Sequence, residues 1–425
     1  MVGLLALFAF DELWKVGSHV FYGLEALQHR GQEKFIVIDL NQGKLTLHLF
    51  NELRAEISQH IKGYIAIAAT LPSKSIDEYA CIVENEGMSI GVITDPMNSS
   101  SSPCRIAELS FKYLKYSFKI PSQQDMSNYV SLVLRKEPIH AAFILTNTGT
   151  LIIYRGINSL RPLIIGGYGF DMVIAASESP AIEILGGMIR KDVKGGEAII
   201  ISKHIINSLE DNHVDNAKLC AYELIYLSRH DSVFNGISVY EFRKKLGMKL
   251  AETFSKDVDI VVPVPETAIP YAIGFAEALN KKFELGFVST GHRLRSALKS
   301  TLMDKLIAIQ LKMHPISSVF RGKRVAVIDD SMVTGATAKT VTQILRNKVG
   351  AKEVHFVIAS PKIVGCPFNM PLPNSEELLA ANLNGDLILK YIEADSITWL
   401  SLEALREISN EMNIHLCTKC FFKNT

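Results

Sequence analysis

The segment RVAVIDDSMVTGATAKTV, residues 324–341, combines residue types that suit the binding of a phosphorylated sugar. An apolar strand runs into Asp329 and Asp330, and a loop containing Gly335 then opens a helix. A helix N-terminus offers free N–H groups and the positive end of a dipole to an anion, and glycine lets the backbone approach it closely. Three hydroxyl side chains could donate hydrogen bonds to the same phosphate: Ser331, Thr334 and Thr337.

The two adjacent acids indicate what else the ligand contains. A phosphate would repel Asp329 and Asp330, so they are expected to face hydroxyl groups or a metal ion on another part of the ligand. A sugar phosphate with magnesium provides both. The loop has neither the pattern of a nucleoside triphosphatase nor that of a dinucleotide-binding site. A helix capped by acids after a buried strand is the common structural alternative, but the added Thr-Gly favours a binding function.

The surrounding sequence predicts the elements that position this loop. From about residue 235, fully apolar strands alternate with amphipathic helices, which predicts a doubly wound parallel sheet that binds ligands at the carboxyl ends of its strands. Residues 1 to about 205 contain mostly short strands, which is typical of stacked sheets covered by helices.

Composition limits the class of protein. The chain has 425 residues, 48% of them apolar and 21% charged, which predicts a globular protein of two domains. Its formal net charge of +1 and the absence of basic runs argue against nucleic acid as a partner.

The apolar start MVGLLALFAF has no basic residues before it and is interpreted as a buried strand. No stretch is long enough to cross a membrane. We expect a cytoplasmic protein.

The loop at 329–337 resembles that of type I phosphoribosyltransferases, in which the acidic pair contacts the ribose hydroxyls of phosphoribosyl pyrophosphate and the Thr-Gly loop holds the 5-phosphate. Further segments, in order along the chain, resemble the amidophosphoribosyltransferase family: GLEALQHRGQE at 23–33, NSLRPLIIG at 158–166, AASESPAIEILG at 175–186, YELIYLSRHDSVFNGISVYEFRKKLG at 222–247 and VVPVPETAIPYAIGFAEAL at 261–279. The resemblance implies α/β architecture in two domains. Residues 1–215 would form a glutaminase-like αββα sandwich of the Ntn-hydrolase type, and residues 216–425 a type I phosphoribosyltransferase domain.

The resemblance also implies site residues. Thr267 would join Asp329 and Asp330 at a magnesium ion, and Lys312 would contact phosphoribosyl pyrophosphate. The family's mobile active-site loop would lie at residues 289–300, where Arg295 is retained but the neighbouring glycine and aromatic residues are not.

The glutaminase residues of the family are missing from this sequence. The family's N-terminal cysteine nucleophile corresponds to Val2, and the arginine that grips the substrate carboxylate corresponds to Leu71. Its oxyanion-binding Asn-Gly corresponds to Asp95-Pro96, where a carboxylate would repel an oxyanion and proline has no N–H. The family's Ser-Asp has become Ser102-Pro103. Glutamine hydrolysis is therefore predicted to be absent.

Four of the six cysteines match the places where some family members hold a [4Fe–4S] cluster: Cys220, Cys366, Cys417 and Cys420. Four thiolates would equally suit tetrahedral Zn²⁺, and buried cysteines without a metal are a further alternative. Cys81 and Cys104 stand alone in the sequence and receive no role.

Three functions are compatible with these patterns. In the first, the protein forms phosphoribosylamine for purine biosynthesis from phosphoribosyl pyrophosphate and ammonia, which would come from solution or a partner glutaminase. In the second, it is a noncatalytic subunit or a sensor of phosphoribosyl pyrophosphate or purine nucleotides. In the third, it transfers the phosphoribosyl group to another nucleophile. We expect a homo-oligomer, or a hetero-oligomer with a glutaminase-active homologue, with purine nucleotides as candidate effectors.

Overall fold

The computed structural model describes residues 1–73, 75–114, 123–209, 214, 218–289, 313–368 and 372–422. The chain divides into two compact units. The N-terminal unit is Met1–Cys220 with Asp231–Gly236, and the C-terminal unit is Ala221–His230 with Ile237–Thr425. The units therefore interleave along the sequence between residues 221 and 236.

The N-terminal unit is rich in strands. Its strands are β1 Gly3–Ala9, β2 Lys34–Asn41, β3 Lys44–Phe50, β4 Ile65–Leu71, β5 Ala80–Asn85, β6 Met88–Pro96, β7 Ile139–Thr146, β8 Leu151–Arg155, β9 Ile164–Tyr168, β10 Met172–Ala176, β11 Met188–Asp192, β12 Ala198–Ser202, β13 Ile205–Leu209, β14 Leu219–Cys220 and β15 Val233–Phe234. Its helices are α1 Gly17–Ala26, α2 Ile57–His60, α3 Pro103–Leu114, α4 Gln123–Leu132 and α5 Pro180–Glu183.

Thirteen of these described strands form two antiparallel sheets. The first has the order β11-β9-β10-β1-β4-β2-β3 and the second the order β13-β12-β8-β7-β6-β5. Side chains alternate between the two faces of a strand. In β7, Phe143 accordingly belongs to a core built from strands of both sheets, whereas Ile144 belongs to a core shared with α3 and α4. On the first sheet, α1 and α5 contact β1 and β10. The result is a four-layer arrangement of helices, sheet, sheet and helices.

The apolar N-terminal segment is a central strand of this arrangement. β1 lies between β10 and β4, and all of its residues are buried. This confirms the interpretation of MVGLLALFAF as a strand. No helix in the described part of the chain is long and apolar enough to cross a bilayer.

Cys81 of β5 and Cys104 of α3 form a disulfide bond, with their Cα atoms 5.1 Å apart. The sequence offered no reason to pair them, because the contact depends on how α3 packs on β5. The bond closes a loop of 23 residues. A crosslink of that length is worth about 3 kcal/mol through the entropy of the unfolded chain, and a reducing compartment would remove this contribution.

We therefore expect the denatured, oxidised protein to expose four titratable thiols of its six cysteines, and all six after reduction. Replacing Cys81 and Cys104 together by alanine should lower the free energy of unfolding by about 3 kcal/mol. Reducing the wild-type protein should cause the same loss and should leave the double variant unchanged. Six thiols before reduction would contradict the pairing.

The C-terminal unit alternates strands and helices. Its strands are β16 Ile237–Ser238, β17 Ile260–Pro263, β18 Lys282–Phe283, β19 Phe287–Val288, β20 His314–Pro315, β21 Arg324–Asp329, β22 Glu353–Ile358, β23 Ser396–Trp399 and β24 Leu416–Cys417. Its helices are α6 Val239–Thr253, α7 Ile269–Leu279, α8 Ser317–Phe320, α9 Ala336–Gln343, α10 Leu379–Asn382, α11 Gly385–Ile392 and α12 Leu402–Glu411.

Five of these strands form a sheet in the order β18-β17-β21-β22-β23, and each neighbouring pair is parallel. The central strands β17 and β21 are almost entirely buried, which explains why they read as continuous apolar runs rather than as alternating patterns. Residues of α9 and α11 belong to the core on one side of the sheet. Because β17 and β21 run in the same direction, the segments that follow them emerge at the same edge.

Candidate active site

The acidic pair lies where β21 ends. Asp329 is the last residue of this strand, and Asp330 follows it; both are buried. The backbone N–H of Asp330 donates to Oδ1 of Asp329 at 3.0 Å. The neighbouring strand β17 leads into Thr267, whose side chain is close enough to Asp330 to lower the pKa of that carboxyl. Parallel pairing of the two strands thus brings together the three residues proposed from the sequence for a magnesium ion.

The loop proposed to bind a phosphate follows Asp330 directly along the chain. Gly335 has a left-handed conformation with φ of +73° and immediately precedes α9. A side chain at this position would be strained, and its Cβ would lie 2.7 Å from a methyl carbon of Leu379. Thr334 accepts a 3.4 Å hydrogen bond from the N–H of Ala336. Glycine here therefore lets the chain turn into α9 with the helix N-terminus beside the loop.

These residues line a cavity of about 390 Å³ in the C-terminal unit. Ser331, Thr334, Gly335 and Thr337 all lie in its wall, together with the acidic pair. The cavity is within the size range of small-molecule sites. One local segment therefore supplies hydroxyl groups, a helix N-terminus and two carboxylates to the wall of one cavity, and the Ser331 hydroxyl donates to Oδ1 of Asp330 at 2.7 Å.

The electrostatics of the acidic pair suit a cation. Burial and the charge of Asp330 raise the pKa of Asp329 well above its usual value. Burial also raises the pKa of Asp330, although Ser331, the charge of Arg243 and Thr267 act in the opposite direction. Neither acid forms an ion pair with another described residue. Two buried carboxylates and a hydroxyl are oxygen ligands of the type that Mg²⁺ prefers, so these residues fit a magnesium ion held jointly with a phosphorylated substrate.

Two tyrosines of the cavity were missed by the sequence interpretation. Tyr222 immediately precedes a π-helical turn at Glu223–Leu227, Tyr226 lies within it, and their ring centroids are 5.2 Å apart. Burial, followed by the charges of Asp330 and Asp329, raises the pKa of Tyr226, so this phenol lies close to the acidic pair. Their spacing of four residues signalled a shared helical face, but no local pattern placed that face at the edge of the sheet.

Two proposed ligands of phosphoribosyl pyrophosphate, Arg295 and Lys312, lie outside the described residues, in the segment 290–312. Their roles remain predictions from the family resemblance. Met313, the next residue, is described and lines the cavity.

In the N-terminal unit, three of the positions that the resemblance assigns to glutaminase residues are buried. The side chains of Val2 and Leu71 are 2% and 0% exposed, and Gly3 and Thr70 pair where β1 meets β4. Asp95 is also buried, and its carboxylate forms a hydrogen-bonded ion pair with Arg161. This unit therefore places hydrocarbon at two of these positions and an internally neutralised carboxylate at the third.

A second buried ion pair connects two of the segments that resemble the family. Arg30 Nε lies 2.9 Å from Glu178 Oε1, and both side chains are inaccessible to solvent. His29 lies 2.6 Å from the same oxygen, and Ser232 donates to the other carboxylate oxygen at 2.6 Å. In this structure the QHRG segment thus makes packing and ionic contacts.

The cysteines proposed to bind a metal are divided between the units. Cys220 ends the first part of the N-terminal unit, whereas Cys366, Cys417 and Cys420 lie in the C-terminal unit. The carbonyl of Cys420 accepts a 2.9 Å hydrogen bond from the N–H of Val364, so the segment preceding Cys366 lies beside the terminal cysteines. Among the described residues, no group of three or more His, Cys, Asp or Glu is arranged to hold a metal ion.

Comparison with known proteins identifies full-length relatives, although no family model matches the chain. A Bacillus subtilis protein named amidophosphoribosyltransferase is 30% identical over 431 residues, covering 94% of this chain and 89% of its own. Proteins of the same name from Synechococcus elongatus and Methanocaldococcus jannaschii are 28% and 29% identical, each covering 99% of this chain and respectively 90% and 96% of their own.

The solved structure of glutamine phosphoribosylpyrophosphate amidotransferase from B. subtilis, complexed with ADP and GMP, is also similar. It matches with a TM-score of 0.82 and 28% identity, covering 99% of this chain and 96% of that one. The fold class expected from the sequence, an Ntn-type sandwich followed by a phosphoribosyltransferase-type parallel sheet, is thereby confirmed. Similarity of sequence and of structure extends over both units, and the chain belongs to the amidophosphoribosyltransferase family.

Proposed function

We propose that this protein forms phosphoribosylamine from phosphoribosyl pyrophosphate and ammonia in purine biosynthesis and that it does not hydrolyse glutamine. Ammonia attacks C1 of the ribose, the bond from C1 to the pyrophosphate oxygen breaks, and pyrophosphate leaves with that electron pair. A proton released from the new ammonium group passes to solvent. The observation that carries the proposal is the buried pair Asp329–Asp330 in a 390 Å³ cavity beside the N-terminus of α9.

In this proposal each part of the cavity has a separate task. The hydroxyls of Ser331, Thr334 and Thr337 and the N-terminus of α9 bind the 5-phosphate. Asp329 and Asp330 face the ribose hydroxyls. Tyr226, whose phenol lies near the acids, covers one wall and limits the access of water to the sugar.

Magnesium belongs to the proposal as a bound cofactor. Thr267, Asp329 and Asp330 would hold it, and when bound it would stabilise the charge that accumulates on pyrophosphate. Without the cation, both acids have raised pKa values for the reasons of burial given above. Binding of Mg²⁺ would favour their ionised forms and release protons.

The predicted loss of glutaminase activity is supported by the three buried positions of the N-terminal unit. Val2 offers no nucleophile, and Leu71 cannot bind a carboxylate. Asp95 already has Arg161 as its ionic partner, and its negative charge opposes an oxyanion at that place. Ammonia would therefore reach the C-terminal unit from solution or from a partner glutaminase.

A [4Fe–4S] cluster remains a proposal, with Zn²⁺ as the alternative. The thiolates of Cys220, Cys366, Cys417 and Cys420 are suitable donors for either, and none of them is in a disulfide bond. Iron, sulfide and zinc analysis of protein purified without oxygen would distinguish the two.

Regulation by purine nucleotides and a cytoplasmic location are also part of the proposal. The ADP and GMP in the related structure support the regulation.

The test compares nitrogen donors. Protein purified without oxygen is given phosphoribosyl pyrophosphate and Mg²⁺, and pyrophosphate release is measured with ammonium or with glutamine, using the B. subtilis relative as a positive control. We expect release with ammonium and none above background with glutamine. Equal release with both donors would refute the loss of glutaminase activity. Binding of phosphoribosyl pyrophosphate without release under either condition would instead favour a noncatalytic binding subunit.

A further inference from the structure

Among the described residues of the C-terminal unit, Arg243 has the largest fully buried side chain, and its hydrogen bonds converge on one segment. Its Nε donates to the carbonyl of Leu224, and Nη2 donates to the carbonyl of Ser228, each at 2.8 Å. These carbonyls belong to the turn that carries Tyr222 and Tyr226 in the cavity wall. The buried guanidinium of Arg243 therefore holds the backbone of this turn in place.

The third nitrogen of Arg243 continues the network. Nη1 lies 2.8 Å from Nδ1 of His230, and Nε2 of His230 lies 3.1 Å from the carbonyl oxygen of Glu266. Arginine can only donate, so Nδ1 of His230 accepts and its Nε2 carries the hydrogen that is donated to Glu266. His230 is thus a neutral imidazole that joins two segments through two different nitrogens.

The segment reached through Glu266 forms part of the cavity. Its neighbours Pro265 and Thr267 both line it. The first residue of the segment, Val264, donates to the carbonyl of Ile328 at 2.8 Å, and no strand pairing is described for residues 265–268. The His230 contact supplies a tie from outside the segment.

We propose that Arg243 and His230 are positioning residues of the phosphoribosyl pyrophosphate cavity: Arg243 fixes the turn that carries Tyr222 and Tyr226, and His230 ties that turn to the segment that carries Thr267. The ligand assigned to the cavity rests on the proposed function. The two residues are not in the wall of the cavity, but they hold backbone groups of two segments that are.

The two nitrogens of His230 can be tested separately. In His230→Gln, the side-chain amide replaces Nε2 and can still donate to Glu266, but the acceptor for Arg243 is lost. In His230→Asn, the amide oxygen replaces Nδ1 and can still accept from Arg243, but the contact with Glu266 is lost. Only the second change should free the Thr267 segment.

The experiment measures hydrogen exchange of ligand-free protein together with the steady-state kinetics of ammonium-dependent pyrophosphate release. We expect His230→Asn to speed exchange at residues 264–268 and to raise KM for phosphoribosyl pyrophosphate about five- to tenfold, with a smaller change in kcat. His230→Gln should resemble the wild type in both measurements. Arg243→Gln should speed exchange in both segments, and Arg243→Lys should restore only part of the protection.

Matched controls separate positioning from general stability. His355→Gln removes a buried histidine that bonds Ser396 and Glu353, and Arg324→Gln removes an arginine at the opposite end of β21 from the acids. Neither variant should raise KM for phosphoribosyl pyrophosphate, whatever happens to its melting temperature. Equal exchange in His230→Asn and His230→Gln would overturn the proposal. If the wild type neither binds nor turns over phosphoribosyl pyrophosphate, the proposed function fails, while the exchange comparison still decides the positioning roles.

Discussion

Replacing Asp330 by asparagine is expected to reduce ammonium-dependent pyrophosphate release by at least about 100-fold. Asparagine has nearly the same shape, so the change removes charge rather than volume. A hydrogen bond to a charged group contributes about 1.5–3 kcal/mol, and the loss of two such interactions in the transition state corresponds to about 10²–10⁴ in rate. The assay is the donor comparison described above, with Mg²⁺ varied at each pH.

The same variant should be at least as stable as the wild type. Burial raises the pKa of Asp330 in the folded protein, so the folded state binds protons more tightly there than the unfolded chain does. Stability from such a group is present below the unfolded pKa and is lost as pH rises through the folded pKa. At neutral pH the ionised pair therefore costs stability, and asparagine removes part of that cost.

Asp386→Asn provides the control, because Asp386 is an exposed acid on α11 outside the cavity wall. It should retain full turnover. A lower melting temperature for Asp330→Asn, together with lost activity, would indicate misfolding and contradict a functional role for the charge. Unchanged activity would show that the acidic pair is not part of the reaction site.

The part of the site that lies in one continuous segment could be predicted from the sequence. β21, the acids at its end, Gly335 and α9 follow one another along the chain, and each has a local signal. The parallel sheet and the strand-rich N-terminal unit were also evident from the period of the apolar residues. Thr267 came from the family resemblance, since only strand pairing brings it to Asp330.

The remaining contacts depend on packing and had no local signal. The 222–230 segment belongs to the C-terminal unit although residues 231–236, which follow it, belong to the other unit. In the sequence alone, nothing distinguished Tyr226 and Arg243 from the other residues of helical segments. The disulfide between Cys81 and Cys104 likewise depends on α3 packing against β5. Periodicity shows which residues are buried, but it does not show which buried residues meet.

The buried ionic network of the N-terminal unit is a further example, and its removal should have a large effect on stability. Arg30 and Glu178 are distant in sequence, yet their side chains are in contact and inaccessible to solvent. Replacing Glu178 by glutamine leaves the buried charge of Arg30 without its carboxylate partner. Breaking a buried pair in this way is expected to cost about 3–5 kcal/mol.

Dependence on pH gives an independent signature of the same pair. Burial alone would raise the pKa of Glu178, but Arg30, His29 and Ser232 outweigh it and lower the pKa to about 2. A carboxyl whose folded pKa is depressed contributes stability above the unfolded value, and this contribution is lost as pH falls through the folded value. The wild type should therefore lose stability between about pH 4.5 and pH 2, and Glu178→Gln should lose less over that range.

The measurement can be confined to the N-terminal unit because each unit contains one of the two tryptophans, Trp14 and Trp399. In a Trp399→Phe background, Trp14 fluorescence follows urea unfolding of the N-terminal unit without assuming that both units unfold together. Glu12→Gln is the matched control, since Glu12 pairs with Lys203 at the surface and exposed pairs contribute little. A similar small effect in both variants would mean that the Arg30–Glu178 pair does not hold this unit together.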